Sequence, residues 1–188
     1  MCPGLDVTED PRMTQHQNDP APTTGAADSY LAGLRERLAA DGSVVTGTTW
    51  HDRPVTIGSR SDRKARWFGT KAELFVLAAT VPEVDQALLT EFTGWALDYA
   101  KNLRGGLAGA RNAALILPAL VTTGNAQPAA RTRAAKDARV LGTSLIGRPV
   151  TVETTGSGVT RVTMYRGRSM YGGMFTGHVL EKAALYFP

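Results

Sequence analysis

The chain has 188 residues, 43% apolar and 20% charged, with a formal net charge of +4, a balance that fits one ordinary globular domain. Its longest strongly apolar run, residues 113–121, is far shorter than the ~20 residues that cross a bilayer, and no basic region followed by an apolar stretch opens the chain. The single cysteine, Cys2, excludes an internal disulfide and any multi-cysteine metal site, so the expected setting is cytoplasmic with no membrane partner.

Residues 1–27 carry Pro3, Pro11, Pro20 and Pro22 among polar residues, with only Leu5, Val7 and Met13 for bulk. They read as a disordered acidic tail, because so little apolar area does not offset chain entropy. Residues 28–188 read as a single α/β domain. A helix is expected to start at Asp28 or Ser29, to bury Tyr30, Leu31, Leu34 and Leu38, and to stop at Asp41-Gly42. Strands follow at 43–50 and 55–59, joined by a turn over His51-Asp52-Arg53-Pro54. The polar run 60–64 reads as a loop, and 66–81 as a strand that ends buried.

Pro82 opens the next predicted helix. Its apolar stripe is Val84, Leu88, Phe92, Trp95, Tyr99 and Leu103, and Gly105-Gly106 closes it. The run 113–121 reads as a buried strand in which Pro118 implies a bulge or an edge position. A helix over 128–142 is expected to face inward through Ala130, Ala134, Ala138 and Leu141. Strands at 149–154 and 159–165 form a hairpin around Thr155-Gly156-Ser157-Gly158. Phe175, Val179, Ala183 and Tyr186 mark a last helix. The order α-β-β-β-α-β-α-β-β-α implies a mixed sheet of about five to six strands flanked by helices. Its opening strands form an antiparallel meander, and a crossover after residue 121 gives a parallel pair.

Charge is distributed unevenly. Residues 1–28 hold five carboxylates and one base, whereas residues 101–188 hold twelve bases and three carboxylates. Arg60, Arg63, Lys64 and Arg66 cluster beside Trp67; Arg131, Arg133, Lys136 and Arg139 lie on the third helix; Arg161, Arg166 and Arg168 lie on and after the hairpin. Guanidiniums bind phosphates and carboxylates bidentately. The leading expectation is therefore a non-catalytic accessory protein that engages nucleic acid or an acidic protein through Arg60, Arg63, Lys64, Arg66, Arg161, Arg166 and Arg168.

An enzymatic alternative comes from element order. Helix, three strands, helix, strand over residues 29–122 resembles the core of the restriction-endonuclease-like nucleases. The resemblance implies Mg²⁺ held by Asp52 and Glu73, with Lys71 beside them; the position two after Glu73, where that family places its lysine, is Phe75. Outside that alternative no cofactor or metal is expected, since His16, His51 and His178 are scattered and lack ligand spacing. A third reading is a protein–protein module with an exposed aromatic patch of Trp67-Phe68 and Tyr186-Phe187.

Overall fold

The computed structural model describes residues 24–67, 70–104, 112–136, 139–141, 145–168 and 173–188. Of the tail expected over 1–27, residues 24–27 belong to a helix and residues 1–23 lie outside the described residues, as do the Gly105-Gly106 helix stop, Phe68, Ala138 and the side chains of Arg66, Arg139 and Leu141.

Helix α1 runs Thr24–Ala40, four residues earlier than Asp28, because Ala27 extends its buried stripe of Leu31, Leu34 and Leu38 by one turn. It ends in a Schellman motif. Gly42 takes φ +77°, its N–H donates to the Ala39 carbonyl at 2.9 Å, and the Ser43 N–H donates to the Leu38 carbonyl at 2.9 Å.

Strands β1 (Val44–Trp50), β2 (Arg53–Arg63) and β3 (Lys71–Thr80) form the antiparallel meander. His51 and Asp52 make a two-residue turn with φ 46° and 59°, the left-handed pair that matches strand twist. Strand β2 continues through residues 60–63, where the sequence pointed to a loop. Pairing with Lys71–Leu74 satisfies that backbone, so alternation now decides which face each polar side chain takes.

Helix α2 (Gln86–Leu103) begins at Asp85, whose carboxylate accepts from the Leu88 N–H at 2.7 Å. Its buried face is Leu89, Phe92, Thr93, Ala96, Leu97 and Ala100, rotated from the expected stripe. Ala96 and Ala100 let the helix lie close to the sheet, Trp95 and Tyr99 flank the contact, and Leu103 is 55% exposed.

Strand β4 (Asn112–Thr122) runs parallel to β3 and is central. Helix α3 (Pro128–Ala135) is shorter than expected, and the chain beyond it forms two short strands, β5 (Arg139–Leu141) and β6 (Leu145–Gly147). The hairpin β7 (Val150–Thr155) and β8 (Gly158–Met164) follows, and α4 (Thr176–Tyr186) closes the fold.

The sheet thus has eight strands, since two came from sequence read as helix and connection. The far edge of β4 is shared: β6 pairs with Ala114–Ile116 and β7 with Ala119–Thr122, both parallel. Pro118 sits in the gap between them. The Ile116 carbonyl faces this side, accepting from the Arg148 N–H at 2.8 Å, so alternation points the donorless Pro118 nitrogen at the passage from β6 to β7. A central proline is tolerated there without a bulge or an edge.

Helices α1 and α4 cover one face, over Leu74, Val76, Leu115, Leu117, Val150 and Val152. Helices α2 and α3 cover the other, over Ile57, Leu77, Ile116 and Leu120. No helix among the described residues is long and apolar enough to cross a membrane.

Candidate functional site

Strand alternation turns Arg60 and Asp62 toward α1 and α4. The Arg60 Nε and Nη2 donate to Asp62 at 2.9 and 2.6 Å, and Nη1 reaches Asp41 Oδ2 at 2.5 Å and the Asp41 carbonyl. Helix α4 supplies the remaining partners. Lys182 Nζ donates to both Asp41 oxygens at 2.6 and 2.7 Å, Tyr186 Oη donates to Asp41 at 2.5 Å, and His178 Nε2 lies 2.9 Å from Asp62 Oδ2.

Burial pushes both carboxyls up, but the donors outweigh it and hold Asp41 and Asp62 below their ordinary values. Burial pushes Tyr186 up to about 12, with the Asp41 carboxylate adding to the rise. Burial also outweighs Asp62 at His178 and lowers that imidazole. Neutral His178 therefore carries its proton on Nε2, where it donates to Asp62.

Two cations and two anions cancel here. The cluster clamps α4 to β2 and to the α1–β1 corner, so Arg60 has no free fork for an external anion. Sequence reasoning names Asp41 as a helix stop, His178 as a scattered histidine and Tyr186 as part of an aromatic patch, passes over Asp62 and Lys182, and does not bring the five together, since their pairing needs β2 to extend past residue 59.

The nuclease trio divides. Lys71 Nζ lies 2.8 Å from Glu73 Oε1, and Arg104 Nε lies 2.7 Å from Glu73 Oε2. Burial raises the Glu73 carboxyl, but Lys71 and Arg104 hold it below its ordinary value. Asp52 stands in the β1–β2 turn, beyond the end of β2 that pairs with Ala79, whereas Glu73 pairs with Ser61. Six residues of extended strand, roughly 20 Å, separate those positions, so Asp52 and Glu73 do not approach a common ion. Among the described residues no group of three or more His, Cys, Asp or Glu is placed to hold a metal. The aromatic patch is also corrected: Trp67, Tyr186 and Phe187 are buried in the core under α1 and α4.

The remaining cations fall in two places. Lys64 stands 3.5 Å from Glu181 and over the Trp67 ring, and Arg63 is exposed at the end of β2. The others gather around β8. Helix α3 buries Ala130 and Ala134 and packs against β7 and β8. Arg131 then meets Glu153 at 3.5 Å, while Arg133 lies on the other flank of the helix. Arg161 reaches the same carboxylate from β8 at 3.9 Å.

Both distances exceed the 2.7–2.9 Å of a tight charge-assisted bond, and Glu153 Oε1 is buried without a hydrogen bond. The two guanidiniums therefore lean over one buried carboxylate without being locked to it. Farther along, Arg148 donates to the Tyr165 carbonyl at 2.9 Å and covers the Tyr165 ring. Tyr165 Oη donates to the Arg168 carbonyl at 3.0 Å, and Arg166 and Arg168 are exposed. Among the described residues the outer edge of β8 pairs with no other strand, and residues 158–161 are exposed.

Comparison with protein-family models finds no match to this chain, and a search of the curated proteins finds none.

Proposed function

We propose that this chain is a non-catalytic accessory protein that engages an acidic protein segment along β8. The observation that carries the reading is the meeting of Arg131 and Arg161 over the buried Glu153 carboxylate beside the edge strand β8, with Arg166 and Arg168 exposed in the chain that follows it. An extended peptide adds backbone hydrogen bonds to such an edge, and its carboxylates find the guanidiniums. Of the two anionic classes the acidic peptide is favoured over nucleic acid. The large apolar side chains exposed among the described residues are Val44, Leu103, Val159, Met174 and Leu185, none of them an aromatic platform for bases.

The test is fluorescence anisotropy with a labelled peptide of alternating Glu and Val, and with a labelled single-stranded oligonucleotide. Peptide affinity is expected to fall steeply as salt rises, and by about fivefold to tenfold in Arg131→Ala or Arg161→Ala, equivalent to about 1–1.4 kcal/mol. Arg63→Ala, at the end of β2, leaves it unchanged. A salt-independent affinity, or an equal loss in Arg63→Ala, overturns the site. Tighter binding of the oligonucleotide than of the peptide overturns the partner class.

A further inference from the structure

Beside the core stripe of α1 runs a second stripe, Ala26, Ser29, Tyr30, Gly33 and Arg37, of which Tyr30 packs against the core. It faces the tip of the β7–β8 hairpin, and the two enclose a cavity of about 440 Å³. That volume falls in the range of small-ligand pockets. The small residues on α1 open the cavity, and the side chain of Arg37 closes its inner end.

Arg37 is unusual among the half-buried arginines. Arg60 and Arg104 each meet a carboxylate within 3 Å. Arg37 meets none among the described residues. Its Nε donates to the Tyr186 carbonyl at 3.0 Å and its guanidinium lies 5.1 Å from the centre of the Tyr30 ring. Its Nη2 is buried without a hydrogen-bond partner, and so is Tyr30 Oη. An unpaired buried donor is destabilising, more so when charged, and a ligand that pairs with it removes that cost.

Gly33 belongs to the same arrangement. A Cβ there would come within 3.1 Å of Arg37 Nη1, so a side chain at 33 would push the guanidinium by a few tenths of an ångström. Glycine at this interior position is unfavourable to the helix itself.

We propose that this cavity binds a small molecule with a carboxylate head and a short apolar body. With Nε committed to the Tyr186 carbonyl, the Nη1 and Nη2 side of the guanidinium remains, and its two parallel N–H groups match the two oxygens of a carboxylate. Among the described residues the cavity lining contains no lysine and no second arginine, so a monoanion fits better than a phosphate dianion. Ala26, the Tyr30 ring and Val159 contact the body, and Ser29 and Thr155 are at the rim. Burial holds the Tyr30 phenol up at about 12, so it stays a neutral donor at physiological pH. The cavity shares Gly158 and Val159 with the start of β8, but its guanidinium comes from α1, whereas Arg131 of α3 and Arg161 of β8 meet Glu153 on the opposite face of the sheet.

The experiment is a ¹H–¹⁵N titration of the full chain with hexanoate, 1-hexanol and inorganic phosphate, read at the amides of Gly33, Gly156 and Gly158. Hexanoate is expected to give saturable shifts with millimolar affinity, about tenfold tighter than hexanol, a difference of about 1.4 kcal/mol. Arg37→Gln removes the preference for the acid. Because Arg37 also holds Tyr186, a second variant, Ser29→Leu, fills the cavity mouth from an exposed helix position and abolishes the shifts while the rest of the spectrum is retained. The proposal is overturned if hexanoate gives no saturable shift, if hexanol matches it, if phosphate alone reproduces the shifts, or if Ser29→Leu leaves them intact.

Discussion

Replacing Asp41 by Asn removes one charge from the cluster that holds α4 and leaves its steric volume almost unchanged. Arg60 and Lys182 then face Asp62 alone, with an excess positive charge where Lys182, Asp41 and Arg60 have side chains 10%, 16% and 19% exposed. Removing one partner of a fully buried ion pair costs about 3–5 kcal/mol, and an exposed pair contributes about 0–1. These exposures lie close to the buried limit, so Asp41→Asn is expected to cost about 2–3 kcal/mol. That is a large fraction of the 5–15 kcal/mol typical of a domain. Lys182→Met leaves Asp41 its Arg60 and Tyr186 partners and costs less, about 1–2 kcal/mol. The double variant is expected to be less destabilised than the sum by about 1 kcal/mol or more, because the second substitution removes a charge that the first left unmatched. Urea unfolding followed by tryptophan fluorescence reads all three, with an unchanged m-value as the sign that only stability moved. Trp67 packs against His178 of α4, so the probe sits beside the cluster. If each single variant shifts stability by less than about 0.5 kcal/mol and the two add, the cluster is a surface decoration and the clamp argument is wrong.

Two other predictions follow from the same geometry. Burial depresses His178 in the folded state, so the unfolded chain takes up a proton first as pH falls below the ordinary histidine value of about 6.5, and stability is lost in that direction. His178→Gln is expected to flatten the stability profile between about pH 7 and 5; an unchanged slope there contradicts the assignment, because Asp41, Asp62 and Glu73 are held low and lose their contribution only as pH falls through their depressed folded values, below about 4. Gly42→Ala places a side chain at φ +77°, with no atom within 4 Å of the new Cβ, so backbone strain alone applies and thermal unfolding should report a loss of about 1–2 kcal/mol. A neutral or stabilising outcome contradicts the left-handed helix stop.

The layered α/β architecture was legible because it rests on periodicity. Leu31, Leu34 and Leu38 recur at helical spacing, and Leu74–Ala79 form the apolar run of a strand covered on both faces. The errors arose where one residue type serves two purposes. The α2 stripe was read through its large aromatics, but the helix buries Ala96 and Ala100 and leaves Trp95 and Tyr99 at the margin, because a close helix–sheet contact selects small side chains. Pro118 was read as an edge signal, but β4 is flanked by two successive partners, and the junction between them needs no donor from the proline. Nothing in the local pattern of residues 136–147 distinguishes the end of a helix from the short strands β5 and β6, whose pairing depends on β4, twenty or more residues away in sequence.

The candidate site was less legible because a charge count is one-dimensional and a strand is two-sided. The run Arg60-Ser61-Asp62-Arg63 looks like a basic loop, but alternation sends Arg60 and Asp62 together into the α4 interface and leaves Arg63 on the other face. The run at the third helix divides as well, with Arg131 turned to Glu153 and Arg133 to the opposite flank. The number of arginines therefore does not mark a binding surface; the balance of each against its nearest acid does. By that criterion Arg60 and Arg104 are internal struts, Arg161 is loosely held, and Arg166 and Arg168 are exposed in the chain after β8. Arg37 carries no such signal in the sequence, where it sits on a helix face between Glu36 and Leu38; among the described residues this half-buried guanidinium meets the Tyr186 carbonyl and the Tyr30 side chain and no carboxylate. A charge kept from water without a counter-ion is destabilising until an anion arrives, and that makes Arg37 the position where ligand binding and folding stability should be coupled most strongly.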